Sequence, residues 1–496
     1  MCFCKKRSFN SYAILNISYR FTLFLQILIL TINISPAMAL SIESSKSIEG
    51  SASYISLDGG ITKVPSPTGL LGLKLPDGRF YIPSRASDAA LYPGAIVDNS
   101  TRTTPIKVPE GITFADLKIA IPRTNNDNYP KLLFKDFPKF GYIIDDDGDS
   151  INITSTSNEY LQVTWTNYWN YTDNVTNDVR NNINDKLDSC MGIYMLSLTQ
   201  RGTLSGKSLG IPNNILFSNS SLSHDYFIAP SDNANRPRAC FARTPSLGPD
   251  KNSTGFSVGP GWVYRRGFKT QDINNPESNF PTTGTDGLSF YLQFVNITPE
   301  QVIAANGVNV SPISGSNTVT LSLSVAQLLG KNTLLIKLNG PVHTSSSIQP
   351  FVPAEFKLYS DASHHNLLYS FKLGRWYLKP IAQYYYGSYD KAVAQCQSYD
   401  GYRIPRIADL TNANAPNLGI EIIPGNGNSY RRQLSFKDNN GNWIGGIKNE
   451  WGDEYRYNIE SNAYIWAEGR YRVTNSYGSI MNANNGQSAY TLCVSP

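Results

Sequence analysis

The run Val319-Thr-Leu-Ser-Leu-Ser-Val325 alternates apolar and polar residues without a break. A period of two places every second side chain on one face, the pattern of a half-buried strand. Tyr160-Leu-Gln-Val-Thr-Trp165 and Leu117-Lys-Ile-Ala-Ile121 repeat it, and Leu334-Leu-Ile-Lys-Leu338 and Phe356-Lys-Leu-Tyr359 are shorter examples. Turn residues separate these runs at short intervals, so residues 111–370 read as an antiparallel, β-sandwich-like module with room for two subdomains. Within it, Thr298-Pro-Glu-Gln-Val-Ile-Ala-Ala305 carries a cap, Pro at the first helical position and an early acid, which predicts one or two helical turns. Upstream, residues 40–110 are rich in Ser, Gly and Pro and read as a loosely ordered lead-in with a few short strands.

Composition agrees with a mainly β chain. Charged residues make up 16% of the 496 positions, below the roughly 25% of ordinary soluble proteins. Polarity comes instead from Asn, Ser, Thr, Tyr and Gly, which excludes a coiled coil or an acidic disordered chain. At the N-terminus, residues 1–39 hold Lys5, Lys6, Arg7 and Arg20 and no acid. A short apolar run follows, then Ala37-Met38-Ala39. This reads as a secretory signal peptide cleaved after Ala39. Its apolar run is interrupted by Gln26, Asn33 and Pro36, and no later stretch is apolar enough to cross a bilayer, so no transmembrane anchor is expected in the mature chain. Losing four basic groups takes the formal charge from +5 to +1. No basic stripe with interleaved aromatics remains, so nucleic acid is not an expected partner.

Cys2 and Cys4 leave with the signal, while Cys190, Cys240, Cys396 and Cys493 stay. Four cysteines allow three connectivities. The pairs Cys190–Cys240 and Cys396–Cys493 each fall within one candidate domain, and an exported chain favours bridges over free thiols. No C-x₂₋₄-C spacing occurs in the mature chain, so a zinc site is not expected.

From about Phe371 to Pro496 the grammar changes. Ser388 is placed to cap a helix in which Tyr389, Ala392, Val393 and Cys396 share one face. Pro405 opens a second helical segment, and short aromatic strands follow at Asn442-Trp-Ile-Gly445, Ala463-Tyr-Ile-Trp466 and Ala489-Tyr-Thr-Leu-Cys493. Two early helices and late strands make an α+β unit, in which a Cys396–Cys493 bridge would tie the two ends.

That order of motifs, from Trp376 through Tyr389-Asp390, Ala394-Gln-Cys396, Gly401-Tyr-Arg-Ile-Pro-Arg406, Glu450-Trp-Gly-Asp453 and Tyr464-Ile-Trp466 to Cys493, resembles the C-type-lectin-like domain that closes the invasin and intimin adhesins of enteric bacteria. Upstream, Gly267-Phe-Lys-Thr-Gln-Asp272 and Asn279-Phe-Pro-Thr-Thr-Gly-Thr-Asp-Gly287 are similar to a segment of enterobacterial adhesion-domain proteins. The resemblance implies an adhesin carried at the surface of a Gram-negative bacterium, with residues 371–496 as the lectin-like, receptor-binding domain. The sequence lacks Glu-Pro-Asn, Gln-Pro-Asp and a Trp-Asn-Asp strand, so calcium-mediated sugar binding is not implied. No cofactor is expected, and no segment matches the family's membrane barrel.

The chemistry-bearing motifs are sparse. Gly255-Phe-Ser-Val-Gly259 has the G-x-S-x-G form, but Pro260-Gly261 follows where a nucleophile elbow needs a helix. His364-His365 has Asp361 as its one nearby carboxylate and reads as a hairpin tip. Asp145, Asp147 and Asp149 lie in an acidic stretch broken by Gly148; its register fails the EF-hand pattern, leaving an acidic turn with a weak calcium option. Eight Asn-x-Ser/Thr triplets in the mature chain, at Asn99, Asn152, Asn170, Asn174, Asn219, Asn252, Asn296 and Asn309, fit the chance expectation for an Asn- and Ser-rich bacterial chain. Among the late aromatics, Trp443 and Trp466 are expected in the core. Trp451, followed by Asp453 and Glu454, is the expected surface element, and Asp400 and Asp453 are placed to offer a carboxylate to a receptor. The functional expectation is a non-enzymatic adhesin binding a host-cell protein or glycan. A secreted β-rich carbohydrate-processing enzyme and a structural surface component are the alternatives.

Overall fold

A computed structural model describes residues 50–83, 90–124, 126–168, 172–208, 214–217, 221–231, 236–245, 257–343, 348–378, 386–452 and 463–496. The signal segment with Ala39, and Asp453, Glu454, Tyr455 and Tyr457, lie outside them. The described chain is mainly β and gathers into two compact units.

One unit is built from residues 1–67, 133–159 and 202–220. Tyr54–Ile55 pairs antiparallel with Ile143–Ile144, and Leu204–Ser208 lies between Ile151–Ile153 and Asn214–Phe217. A 3₁₀ helix, Phe134–Phe140, ends at Gly141, whose φ of 67° is the left-handed conformation that closes such turns. Phe134, Phe137, Ile55 and Leu204 are fully enclosed.

The second unit holds residues 68–132, 160–201 and 221–496. Its first sheet runs Thr172–Asn174, Tyr160–Tyr168, Ile193–Arg201, Leu222–Ser231 and Ile106–Pro109, the last joining in parallel. The expected strand at 160–165 is therefore present. So are those at 319–325 and 334–338, which form the hairpin Thr320–Leu328 with Lys331–Asn339 in a seven-stranded antiparallel sheet. Phe290, Leu292, Leu321, Leu334, Ile336 and Leu338 point to one side of that sheet and are shut from solvent. Each such side chain contributes roughly 1.5–3 kcal/mol on burial. Pro299–Asn306 is the expected helix: Thr298 Oγ1 accepts from the Gln301 N–H and Gln301 Oε1 accepts from the Thr298 N–H. That reciprocal pair satisfies two N-terminal donors.

Two expectations are corrected. Leu117–Ile121 is not a strand; Leu117, Ala120 and Ile121 are buried at a three- and four-residue spacing, and only Lys118 bridges, to Lys74. Pro122 follows directly and withholds a ladder donor. Nor are the described residues of 40–110 a loose lead-in. Ile55 enters the core of the first unit, Ile106–Pro109 extends a sheet of the second, and Tyr226 donates its hydroxyl to the Leu71 carbonyl at 2.7 Å. Glycine- and proline-rich sequence does not show this, because the strands formed are two to four residues long and are stabilised by distant partners.

The C-terminal section contains Tyr389–Gln397, Ile407–Leu410 and Ile447–Trp451 as helices and a five-stranded sheet in the order Tyr386–Gly387, Ala489–Tyr490, Tyr464–Ala467, Tyr471–Thr474, Ile480–Asn482. Ser388 holds the cap position of the first helix, although its side chain makes no cap bond. Cys396 on that helix is bridged to Cys493, and Cys190 to Cys240. The section shares its core with what precedes it. Thr283–Thr285 pairs in parallel with Arg375–Leu378, which pairs with Cys493–Ser495, and one apolar cluster runs from Ala239 through Phe290 and Phe371 to Trp466 and Val494. Position 371 is a change of sequence grammar inside a continuous core.

Candidate functional site

Where these layers meet, a buried polar cluster sets the frame. Glu450, on the helix Ile447–Trp451, is 0% exposed and faces no cation. Its carboxylate accepts instead from the N–H and hydroxyl of both Thr282 and Thr283 and from the Ser435 N–H, at 2.5–3.0 Å. Five donors make an enclosed carboxylate tolerable. Beside it, Arg375 bonds Asp409 at 3.0 Å and the Gly445 carbonyl at 2.8 Å, both side chains wholly enclosed. Arg403 and Arg406 add three further bonds to Asp409, one of them from the Arg406 backbone N–H. Burial opposes the charge on Asp409, yet Arg375, then Arg403 and Arg406, hold its carboxyl below the ordinary carboxylate range.

Trp451 belongs to this frame, which corrects its placement at the surface. It is 0% exposed, donates Nε1–H to the Thr283 carbonyl at 2.9 Å and packs on Phe280 with ring centroids 4.8 Å apart. Its polar sequence neighbours suggested exposure, whereas the helix lies beneath Thr283–Thr285. Trp466 is buried, donating to the Gly387 carbonyl. Asp400 is exposed in the turn after Tyr389–Gln397. The proposed set is therefore not brought together: Asp400 stands alone, Trp451 is interior, and Asp453 and Glu454 lie outside the described residues.

Trp443, expected in the core, is only half-buried. It sits on the hairpin Phe436–Lys437/Trp443–Ile444, with Lys437 directly opposite it. Asp438 closes the tip by accepting the N–H groups of Asn440 and Asn442. The indole edge lies over Gly374, where any Cβ would collide with it, and the Arg375 guanidinium stacks 4.5 Å from the ring centre. Held in this way, Trp443 walls a groove of about 280 Å³ together with Phe436, Pro353, Ser435, Asn275 and the ion pair Lys372–Glu277. Phe436 is 44% exposed. Ser435 is 2% exposed, and its Oγ has no hydrogen-bond partner although its N–H is bonded to Glu450. Lys372, with burial opposing it, lowers the titration of Glu277, so its carboxylate is ionised at neutral pH. Sequence reading singled out Trp443 but assigned it to the core. Ser435 and Phe436 carried no signal, because a lone serine and phenylalanine are unremarkable until a hairpin folds.

A second cleft of about 530 Å³ has an apolar floor of Phe114, Val179, Met191 and Tyr194 and a charged rim. Asp188 on that rim bonds Arg238 at 2.6 Å and the Cys190 N–H at 2.9 Å. The rim carries both signs of charge, and Lys269 also pairs with Asp188 at 3.4 Å.

The remaining motifs are occupied by local bonds. Asp145 and Asp147 accept from Ser53 and Ser51 side chains, and Asp145 also from the Asp147 and Asp149 N–H groups. Two of the three carboxylates are thus engaged by local donors, and among the described residues no group of three His, Cys, Asp or Glu side chains is placed to hold a metal ion. His364 and His365 form a hairpin tip with Asp361, whose carboxylate accepts from Ser363 and the N–H groups of His365 and Asn366. Ser257 opens a two-residue strand paired with Arg431–Arg432, and the chain turns at Gly261 into another strand, not a helix. Gly255 and Phe256 lie outside the described residues.

No protein-family model matches the chain, and no curated protein matches it by sequence. Among solved structures, a weak likeness is found to invasin, described as a bacterial integrin-binding protein, at 13% identity and a TM-score of 0.28. It covers 72% of this chain and 53% of that one, so the chain spans about half the length of invasin as solved. Among the described residues no helix is long and apolar enough to cross a membrane.

Proposed function

We propose that the mature chain is an exported bacterial surface-binding protein of the adhesin type, engaging a host-cell receptor through its C-terminal section without catalysing a reaction. The observation that carries the reading is the groove at Phe436 and Trp443. It presents an aromatic wall to solvent on a frame fixed by buried ion pairs, the arrangement that dominates binding hot spots. The lectin-like motifs at 371–496 support the same section as the recognition end. Two disulfides in a chain with a signal-like N-terminus support export to an oxidising compartment.

The enzyme alternative needs paired carboxylates across a groove. Glu277 is the one carboxylate lining this groove, and Lys372 neutralises it. The decisive experiment measures binding of purified residues 40–496 to cultured epithelial cells. Saturable binding, competed by unlabelled protein and weakened by Phe436→Ala, is expected. Absence of saturable binding would overturn the reading in favour of a structural component, and turnover of a glycan library would favour the enzyme.

A further inference from the structure

The groove also indicates the chemistry of its occupant. We infer that it binds a single pyranose ring at the end of a host glycan, seated on Trp443 and Phe436 with a ring hydroxyl bonded to Ser435. This deepens the surface-binding reading and rests on it.

Three features converge. The first is size. At about 280 Å³ the groove lies at the low end of small-molecule sites, which begin at roughly 300 Å³. That is room for one ring, not for a folded peptide or a helix. The second is the pairing of surfaces. A pyranose has an apolar face of axial C–H bonds and a rim of hydroxyls. Phe436 and Trp443 offer aromatic area to the first, while Asn275, Glu277 and Lys372 surround them with donors and acceptors for the second. An apolar ligand would leave that polar rim unused, and a small ion would leave the aromatic wall unused.

The third feature is the serine. Ser435 lines the groove, is 2% exposed, and is fixed through its N–H to Glu450. Its Oγ is enclosed and bonds to no protein atom. Buried polar atoms are nearly always paired, so an orphaned hydroxyl on a residue that lines a small groove marks a bond left for a ligand. The other hydroxyls that line the groove are bonded within the protein: that of Thr282 to Glu450 and that of Ser278 to backbone carbonyls. Charge does not oppose a sugar, since Lys372 and Lys437 against Glu277 leave the rim at +1, favourable to a neutral or acidic ring.

The test uses residues 40–496 and a panel of methyl pyranosides of glucose, galactose, mannose, N-acetylglucosamine and glucuronic acid, read by saturation-transfer NMR and tryptophan fluorescence. At least one glycoside is expected to bind, with saturation strongest on its ring C–H protons. Phe436→Ala should weaken it about fivefold to tenfold, the scale of an aromatic contact residue. Ser435→Ala should weaken it about twofold or more, the lower bound for one hydrogen bond. Tyr477→Ala, 52% exposed and away from the groove lining, should leave it unchanged. Near-UV circular dichroism checks that each variant is folded. No binding across the panel, or equal affinity in the wild type and Phe436→Ala, would overturn the inference. Cell binding separates the two levels: equal binding to glycosidase-stripped and untreated cells removes the sugar but keeps the surface-binding reading, whereas no binding to either removes both.

Discussion

Glu450 and Ser435 are held together by one hydrogen bond, yet they belong to opposite kinds of environment. Around Glu450 every carboxylate lone pair has a donor, no solvent enters, and Trp451 and Phe280 close the site. Around Ser435 the backbone is tied into that same cluster, while the side chain belongs to a groove wall and its enclosed hydroxyl has no partner. A satisfied cluster stabilises a fold. An unsatisfied one costs stability, and it persists in functional positions where a ligand supplies the missing bond. The difference separates frame from site more sharply than residue type does.

The comparison breaks most readily at the frame. Glu450→Ala strands buried donors on Thr282, Thr283 and Ser435 and should cost about 3–5 kcal/mol in urea denaturation, in line with loss of one partner from a buried polar network. A loss below about 1 kcal/mol would mean that the cluster is not closed. The Cys396–Cys493 bridge, spanning 97 residues, should contribute roughly 3–5 kcal/mol by the loop-entropy estimate, seen as a lower melting temperature with reductant. Because it joins a helix and a strand of the shared core, its loss should also lower the stability of the seven-stranded sheet, followed by hydrogen exchange.

Asp409 gives the pH test. Its carboxyl is buried, which opposes ionisation, but Arg375, Arg403 and Arg406 depress its titration in the folded state. The stability it contributes is therefore complete above the unfolded value of about 3.9 and is lost as pH falls through the lower folded value. Asp409→Asn should flatten that acid limb while lowering stability at neutral pH. An unchanged acid limb would show that the ion-pair cluster is not what titrates. The smallest effect belongs to Ser435→Ala. Removing an unpartnered buried hydroxyl should leave stability within about 0.5 kcal/mol or raise it. A loss above about 1 kcal/mol would give that hydroxyl a partner and erase the contrast.

Much of the scaffold was readable in advance. Strict alternation at 160–165 and 319–325 gave strands, and Thr298 with Pro299 gave a capped helix, because those signals depend on local geometry alone. Leu117–Ile121 misled because five residues of alternation cannot outweigh a following proline and a core that takes three of them from one side. Short strands such as Ile106–Pro109 stayed hidden, since their partners are more than a hundred residues away. The site was legible only in part. Trp443 was singled out but assigned inward, and Trp451 was assigned outward, because sequence neighbours report exposure poorly on a two-residue strand at a hairpin or on a five-residue helix covered by a distant strand.

By itself the sequence determined a mainly β chain with a mixed α+β end and the cysteines available to bridge. These follow from periodicity, composition and turn chemistry, which act over a few residues. Only the tertiary structure decided that the C-terminal section shares one core with the sheet before it, that Trp451 is frame and Trp443 is wall, and that Ser435 is left with a bond to make. Each of those depends on which distant backbone arrives to supply or withhold a donor.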